Sequence, residues 1–434
     1  MGGRGASLAD LDRLYFHGSP VELAKAVATL PRAYALSMRQ LYEQVIADVQ
    51  SGKAGTIHPE LYRAYSKNLR KAVSGYADDD LKTQFEANLS RFAAYKAWHA
   101  TRQLERQLAD RDGVIRSPEA FDRMARAVLN TFNRYQAAEY NTAVARARTA
   151  HQWQQFSQGD NMFLFPNLRW LPSRSANPRE AHMPFYNRVW SKTDPFWQTN
   201  QPGNLWNCKC DWEETDDPVT GDNPEGIRPA KGLEGNPADT GKIFTDQCTY
   251  VQKAGKGGRT EVEDFFRPFA ERHQQYVALL KDPDYVDVDF KWENAGLKAT
   301  HIEHNFDEHK GKYEVKVRDT GFNEGHSVIL GREVHNVFRK RNTEGLWDGM
   351  LFEIAGKETA TANNIRDGLK HCAKKPGCKI AILYFPKGNF NETTFIDGLN
   401  KFNGLKGDPN QWTRFDKIIC IQNDTIIYEK SHIG

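Results

Sequence analysis

The chain reads as a multidomain protein. A mainly α-helical N-terminal domain ends in an irregular aromatic and cysteine-rich module, and a small C-terminal α/β (α+β) domain follows. Three observations predict this. Apolar residues between about 18 and 158 recur at spacings of three and four, the period of a helix face. The period stops near residue 160, where prolines, asparagines and tryptophans crowd together. Beyond about residue 350, short apolar runs and amphipathic segments follow the order strand, helix, strand, helix, strand, strand, which packs helices on a sheet. A length of 434 residues suits two or three domains rather than one.

In the helical part, Leu23, Ala26, Val27 and Leu30 share a face, as do Phe121, Met124, Val128, Leu129, Phe132 and Tyr135. Ser117-Pro118-Glu119 predicts a helix start, with proline at the first position, where its missing N–H costs nothing. That helix is expected to reach about Gln158. Gly52–Gly55 and Gly75–Asp80 predict breaks, so residues 1–158 read as a helical bundle or arm. In residues 159–217, Pro178, Pro184, Pro195 and Pro202 each remove a backbone donor and fix φ. This excludes a regular helix and predicts a loop structure held by aromatic packing.

Residues 218–289 read as a linker rich in Asp, Pro, Gly and Asn at its start. It carries an amphipathic helix over Glu261–Leu280, where Pro268 predicts a kink or a late start. Residues 290–434 form the C-terminal domain. Met350–Ile354, Lys379–Phe385, Lys417–Gln422 and Thr425–Glu429 are predicted strands, the last two joined by a tight Asn423-Asp424 turn. Thr361–Ala373 and Thr393–Asn400 are predicted helices, and in the first Ile365, Leu369 and Cys372 share a face.

An aromatic share of 12% favours packed cores over disorder. The net charge of +3 gives no broad basic field, so any nucleic-acid contact must use local patches. No run of about 18 apolar residues predicts a membrane span. The N-terminus lacks an apolar signal core, and Ala6 stands where N-myristoylation needs Ser or Thr. The six unevenly spaced cysteines read as reduced thiols of a protein made in the cytoplasm.

Arg174–Asp217 is the most specific stretch. It holds Trp190, Trp197, Trp206, Trp212, His182 and the pair Cys208 and Cys210. Residues two apart in an extended segment face the same side, so both sulfurs can serve one metal, whereas a disulfide between them would be badly strained. His182, Cys248 or a carboxylate could complete a tetrahedral zinc site. The competing reading has both thiols packed as small apolar groups against Trp206 and Trp212, with no cofactor. Arg174 and His182 are expected to bond loop carbonyls or Asp194.

The string Arg174…His182…Asp194-Pro-Phe-Trp197…Pro202…Trp206-Asn-Cys208-Lys-Cys210 resembles the signature of the phage Mu protein F family, minor head or head-morphogenesis proteins of tailed phages and prophages. The resemblance covers roughly residues 80 to 217. This chain has Pro-Gly-Asn-Leu-Trp where the family more often has Pro-Pro before its aromatic, a change that alters only the turn. The resemblance implies a virion protein made in the bacterial cytoplasm and bound to the portal inside the capsid. Its implied partners are the portal, other capsid proteins and packaged DNA, with no membrane partner.

Members of that family carry variable C-terminal effector domains. Trp347-Asp-Gly-Met-Leu-Phe-Glu-Ile-Ala-Gly-Lys-Glu-Thr, then Asn363-Asn-Ile, a helix and Ile380-Ala-Ile-Leu-Tyr resemble nuclease domains of contact-dependent inhibition toxins. Those belong to the barnase/EndoU/colicin/RelE-like group of metal-independent ribonucleases, and the resemblance covers about 295 to 434. It implies an RNA substrate, with tRNA among the targets, and an immunity protein as partner. Such cleavage needs a base for the 2′-OH proton, an acid for the leaving oxygen and a cation for the phosphate. His301, His304, His309 and His326 cluster with Glu314 between them and suit proton transfer. Lys357 is the expected phosphate ligand, and Glu353 or Thr361 supports it. A metal-dependent DNase of the Asp…Glu-x-Lys type is a rival, against which Glu353 and Lys357 stand four apart rather than two. The alternative to a toxin is a structural virion protein whose C-terminal domain is an inactive decoration. A scaffold with no activity is a third reading.

Overall fold

A computed structural model describes residues 38–52, 56–77, 79–176, 178–221, 223–224, 226–306, 311–333, 342–388 and 390–432. Leu23 to Leu30 and His309 lie outside them. The chain divides into two compact units, Met1–Arg267 and Pro268–Gly434. Among the described residues, multiple helices and two sheets make a mixed, multidomain α+β protein.

The first unit holds helices α1 (Met38–Gln50), α2 (Pro59–Arg70), α3 (Asp80–Glu105) and α4 (Pro118–Phe156), and of the face expected in α4 Phe121, Val128, Leu129, Phe132 and Tyr135 are buried while Met124 is exposed. Ser117 caps α4 by accepting from the Ala120 N–H at 3.3 Å, as the Ser-Pro-Glu start predicts. Between α3 and α4 lies a fully buried ion pair, Lys96 with Glu139, and the Tyr250 hydroxyl donates to Glu139 Oε1 at 3.0 Å. Burial pushes the Lys96 amine down, with Glu139 opposing. Breaking such a pair costs roughly 3–5 kcal/mol, because it strands a buried charge.

The aromatic module is more regular than expected. It carries a three-stranded antiparallel sheet in the order β2-β1-β3, with β1 Asn167–Leu171, β2 Val189–Ser191 and β3 Asp211–Thr215. The prolines do exclude a long helix, but they fall between these strands, where no ladder N–H is lost. Trp170, Trp190, Trp197 and Trp212 are buried with Phe185, Phe196, Cys208 and Cys210.

The segment read as a linker is partly built into this unit. Arg146 of α4 is buried and donates to the carbonyls of Leu233 at 2.8 Å and Gly235 at 3.1 Å. Those bonds hold the backbone at its middle. Helix α5 runs from Thr249 to Lys281. Its break in helical geometry is at Gly255 (φ 67°, ψ −177°) rather than at the expected Pro268. Glycine takes that conformation freely, whereas a proline inside a helix forfeits one hydrogen bond.

The second unit holds an eight-stranded sheet rather than a small one, ordered β11-β10-β9-β8-β7-β6-β5-β4. Its strands are β4 Tyr285–Phe290, β5 Leu297–His301, β6 Ser327–Leu330, β7 Gly345–Trp347, β8 Met350–Gly356, β9 Ile380–Phe385, β10 Lys417–Gln422 and β11 Thr425–Ser431. Helices α6 (Gly311–Asn323), α7 (Ala362–Cys372) and α8 (Glu392–Gly404) complete it. Strands β8, β9 and β10 run parallel, joined by α7 and α8. One sheet face packs Ala381, Leu383 and Ile418 against Ile365, Leu369 and Phe395 of those helices. The other packs Ile380, Ile382 and Ile419 with Phe352 and with Val317 of α6. With both faces covered, β9 is apolar along its whole length, as its sequence Ile-Ala-Ile-Leu-Tyr-Phe requires.

Two hairpins carry the predicted turn chemistry. Asp348 and Gly349 (φ 49° and 81°) join β7 to β8, and Asn423 and Asp424 (φ 51° and 59°) join β10 to β11. The two edges of the sheet are irregular or charged. A register shift falls between Val286 and Asp289 in β4, with Asp287 at φ 53°, and β11 carries Glu429 and Lys430.

Candidate functional site

Two side-chain clusters among the described residues have metal-ligand chemistry, one in each unit. The first is His182, Cys208 and Cys210, all buried. His182 Nε2 lies 2.8 Å from Asn204 Oδ1. An amide oxygen only accepts, so Nε2 carries the proton and Nδ1 turns its lone pair toward the sulfurs. Nδ1 is 3.3 Å from Cys208 Sγ and 3.6 Å from Cys210 Sγ. Ligands about 2.1 and 2.3 Å from a tetrahedral zinc ion would themselves stand about 3.6 Å apart, so the spacing fits. The Asn204 bond is the outer support that metal-bound histidines use.

A hydrogen bond from Cys210 holds the Cys208 thiol well below the ordinary range against its burial, and His182 adds to this. The same bond, together with burial, pushes Cys210 up. One thiolate is therefore already favoured. Cys248 stands apart, near Gly232, and burial pushes its thiol up to about 12. Arg174 reaches Asp211 at 3.7 Å rather than Asp194, whose carboxylate accepts from the Phe196 N–H.

The second cluster is His304, Glu314 and Glu344, beside a cavity of about 290 Å³ in the second unit. Glu314, near the start of α6, lies 3.2 Å from His304 Nε2, and Glu344, just before β7, lies 3.9 Å from it. His304 Nδ1 lies 2.9 Å from the Gly331 carbonyl and donates to it. Burial opposes the charge on His304, but the bonds to Glu314 and Gly331 outweigh it and raise its pKa. Burial and then the charges of Glu353, Glu314 and Glu333 push the Glu344 carboxyl up to about 8.

Glu353 of β8 is fully buried. Its Oε1 pairs with His371 at 2.8 Å and Lys375 at 3.0 Å, while its Oε2 has no hydrogen-bond partner. Lys357 follows β8 and lines the same cavity.

The fold thus brings together four of the predicted residues: His304, Glu314, Glu353 and Lys357. Three others lie elsewhere. His301 ends β5, where its Nδ1 accepts from the Glu303 N–H at 3.0 Å and its ring meets Tyr285 edge-on. His326 bonds Asp348 Oδ2 at 2.7 Å, and Arg272 holds the other oxygen of Asp348 at 2.8 Å. Thr361 caps α7 through the Asn364 N–H at 3.3 Å. Glu344, Glu333, His371 and Lys375 line the cavity without having been expected there. The Lys374-Lys375 pair after α7 was the one available signal, a basic patch close to a strand that carries a buried glutamate.

No family model matches the chain, and no solved structure matches it. Among curated proteins it is similar to one named "Putative capsid assembly protein F" of Escherichia phage Mu, with 34% identity over 64 residues. That stretch covers 14% of this chain and 15% of the phage protein. Among the described residues no helix is long and apolar enough to cross a membrane.

Proposed function

We propose that this chain is a minor head-morphogenesis protein of a tailed phage or prophage, associated with the portal and the capsid interior. The observation that carries this is the similarity to the phage Mu protein. The Arg174–Cys210 module, with its buried tryptophans and Cys pair, supports it. The expected partners are the portal, other capsid proteins and packaged DNA. The test is mass spectrometry of purified virions from a strain carrying the gene. The protein should be present in few copies and should co-purify with the portal; its absence from mature particles would remove the head role.

A second role rests on the cavity: the C-terminal unit cleaves phosphodiester bonds, with RNA as first substrate. Lys357 would hold the phosphate, and a carboxyl raised toward neutrality, as Glu344 is, suits proton transfer. In RNA the 2′-oxygen forms its bond to phosphorus as it loses its proton to the cavity base. The P–O5′ bond breaks, and the 5′-oxygen takes up a proton. Full-length protein should cut RNA, and Lys357→Ala should slow cutting by about 100-fold, the size of one electrostatic contact in a transition state. Equal rates in both proteins would exclude this role.

The Cys208, Cys210 and His182 cluster is proposed to hold a structural zinc that closes the head module. Zinc quantification on the purified protein should give about one ion per chain, and a value near zero overturns it.

A further inference from the structure

We infer that the second unit binds a divalent cation of the Mn2+ or Mg2+ class through His304, Glu314 and Glu344, beside a cavity that Glu353 also lines. The site shares the cavity of the proposed cleavage reaction but does not depend on that reaction.

Four features carry this. The ligand atoms of His304, Glu314 and Glu344 all lie within 4.8 Å of one another, close enough for a single ion to touch all three. His304 is fixed for the role, because its Nδ1–H is spent on the Gly331 carbonyl and Nε2 is turned to the carboxylates. That is the outer-support arrangement of a ligating histidine. Glu353 is fully buried, lines the cavity, and leaves Oε2 without a hydrogen-bond partner. Glu344 Oε2 is also buried without a hydrogen bond. Buried carboxylate oxygens are costly unless paired or bound to metal; here two lack a hydrogen bond beside one cavity, and His304 Nε2, 3.9 Å from Glu344 Oε2, is the only ion-pair contact either makes among the described residues.

Lys375 and His371 are both taken by Glu353 Oε1, and His304 Nε2 lies nearer Glu314, at 3.2 Å, than Glu344, at 3.9 Å. Glu344, Glu314, Glu333 and Glu353 all line this one cavity, so four carboxylates converge where a cation would sit. Two carboxylates and one imidazole, with the Glu353 carboxylate lining the same cavity, are a mainly hard oxygen set, which suits Mn2+ or Mg2+ better than the thiolate-loving metals.

The test uses full-length protein, with Mn2+ alone as the probe, because the cysteine cluster in the first unit disfavours it. Calorimetry on wild type should show one Mn2+ per chain beyond the background of the Glu314→Gln/Glu344→Gln double variant, with affinity falling at least tenfold in that variant. Mn2+ should also raise the melting temperature of wild type and not of the variant. The metal-free variant should melt no lower than metal-free wild type, which shows that it is folded. Mn2+ binding that is equal in both proteins, or absent from wild type, overturns the site. RNA and DNA cleavage are then measured with Mn2+ and with EDTA. Cleavage in EDTA at the full rate overturns a catalytic cation and leaves the nuclease reading standing. Mn2+ bound with neither nucleic acid cut confirms the cation and removes the nuclease reading.

Discussion

The two clusters use one histidine each and otherwise oppose one another. In the first unit His182 faces two sulfurs, its far nitrogen is held by Asn204, and the surroundings are tryptophan and phenylalanine. In the second, His304 faces two glutamates, its far nitrogen is held by a backbone carbonyl, and the surroundings are polar and include a cavity. The first is packed among aromatic rings and buried on all three ligand residues, so it is built like a staple. The second has space, bare oxygens and a strained carboxyl, so it is built like a site at which something arrives. The difference teaches that a histidine's role is set by what its other nitrogen is tied to and by whether its neighbours are content without a ligand.

The largest effect should come from breaking the staple. With zinc held as proposed, Cys208→Ser or His182→Ala should release it and destabilise the first unit by about 3–5 kcal/mol. Differential scanning calorimetry with and without a zinc chelator reads this. A chelator that leaves the wild-type unfolding trace unchanged would erase the contrast between the clusters.

The opposite sign is expected in the second unit. The native carboxyl of Glu344 titrates at about 8 against 4.5 for an ordinary one, so the native state holds its proton more tightly than the unfolded chain does. Metal-free stability therefore falls as pH rises from the ordinary value toward 8. Glu344→Gln removes that penalty and should stabilise the metal-free protein by up to about 4 kcal/mol at pH 8, with little effect at pH 4. Urea unfolding at the two pH values in EDTA measures it.

Thr361→Ala should cost about 1 kcal/mol through loss of the α7 cap and leave any cleavage rate unchanged, which separates frame from site. The smallest effect concerns Asp348, a quarter exposed. Burial works against its charge, but His326, the Ser327 N–H and Arg272 outweigh burial and hold its carboxyl below the usual range. Its contribution is present at neutral pH and is lost as pH falls below about 4. The acid loss of stability should be shallower in Asp348→Asn than in wild type, and identical acid limbs would sink this assignment.

Much of the frame is legible in the sequence. Ser117-Pro118 marks the start of α4, the two hairpin turns announce their positive φ, and β8, α7, β9, α8, β10 and β11 follow from local period alone. The earlier half of the second sheet does not. β6 and β7 have four and three residues, too short for a period to show. The site was half legible for a related reason. Histidines close in sequence drew attention to His301 and His326, yet β5 and β6 send them to Tyr285 and Asp348. Glu344 had no local mark at all, since its neighbour Glu314 is thirty residues away and only the folded sheet brings them together. Periodicity reports which side chains leave water; it carries no signal for which polar groups then converge.

The edges of the large sheet have a consequence for how this protein tolerates company. A flat, unpaired strand invites a second copy to add on and start a fibre. Here one border is buckled at Asp287 and lined with carboxylates, and the other presents Glu429 and Lys430, with Lys417 paired to Glu429 at 3.1 Å. Neither border therefore presents the flat, uncharged strand on which a second copy would most readily add.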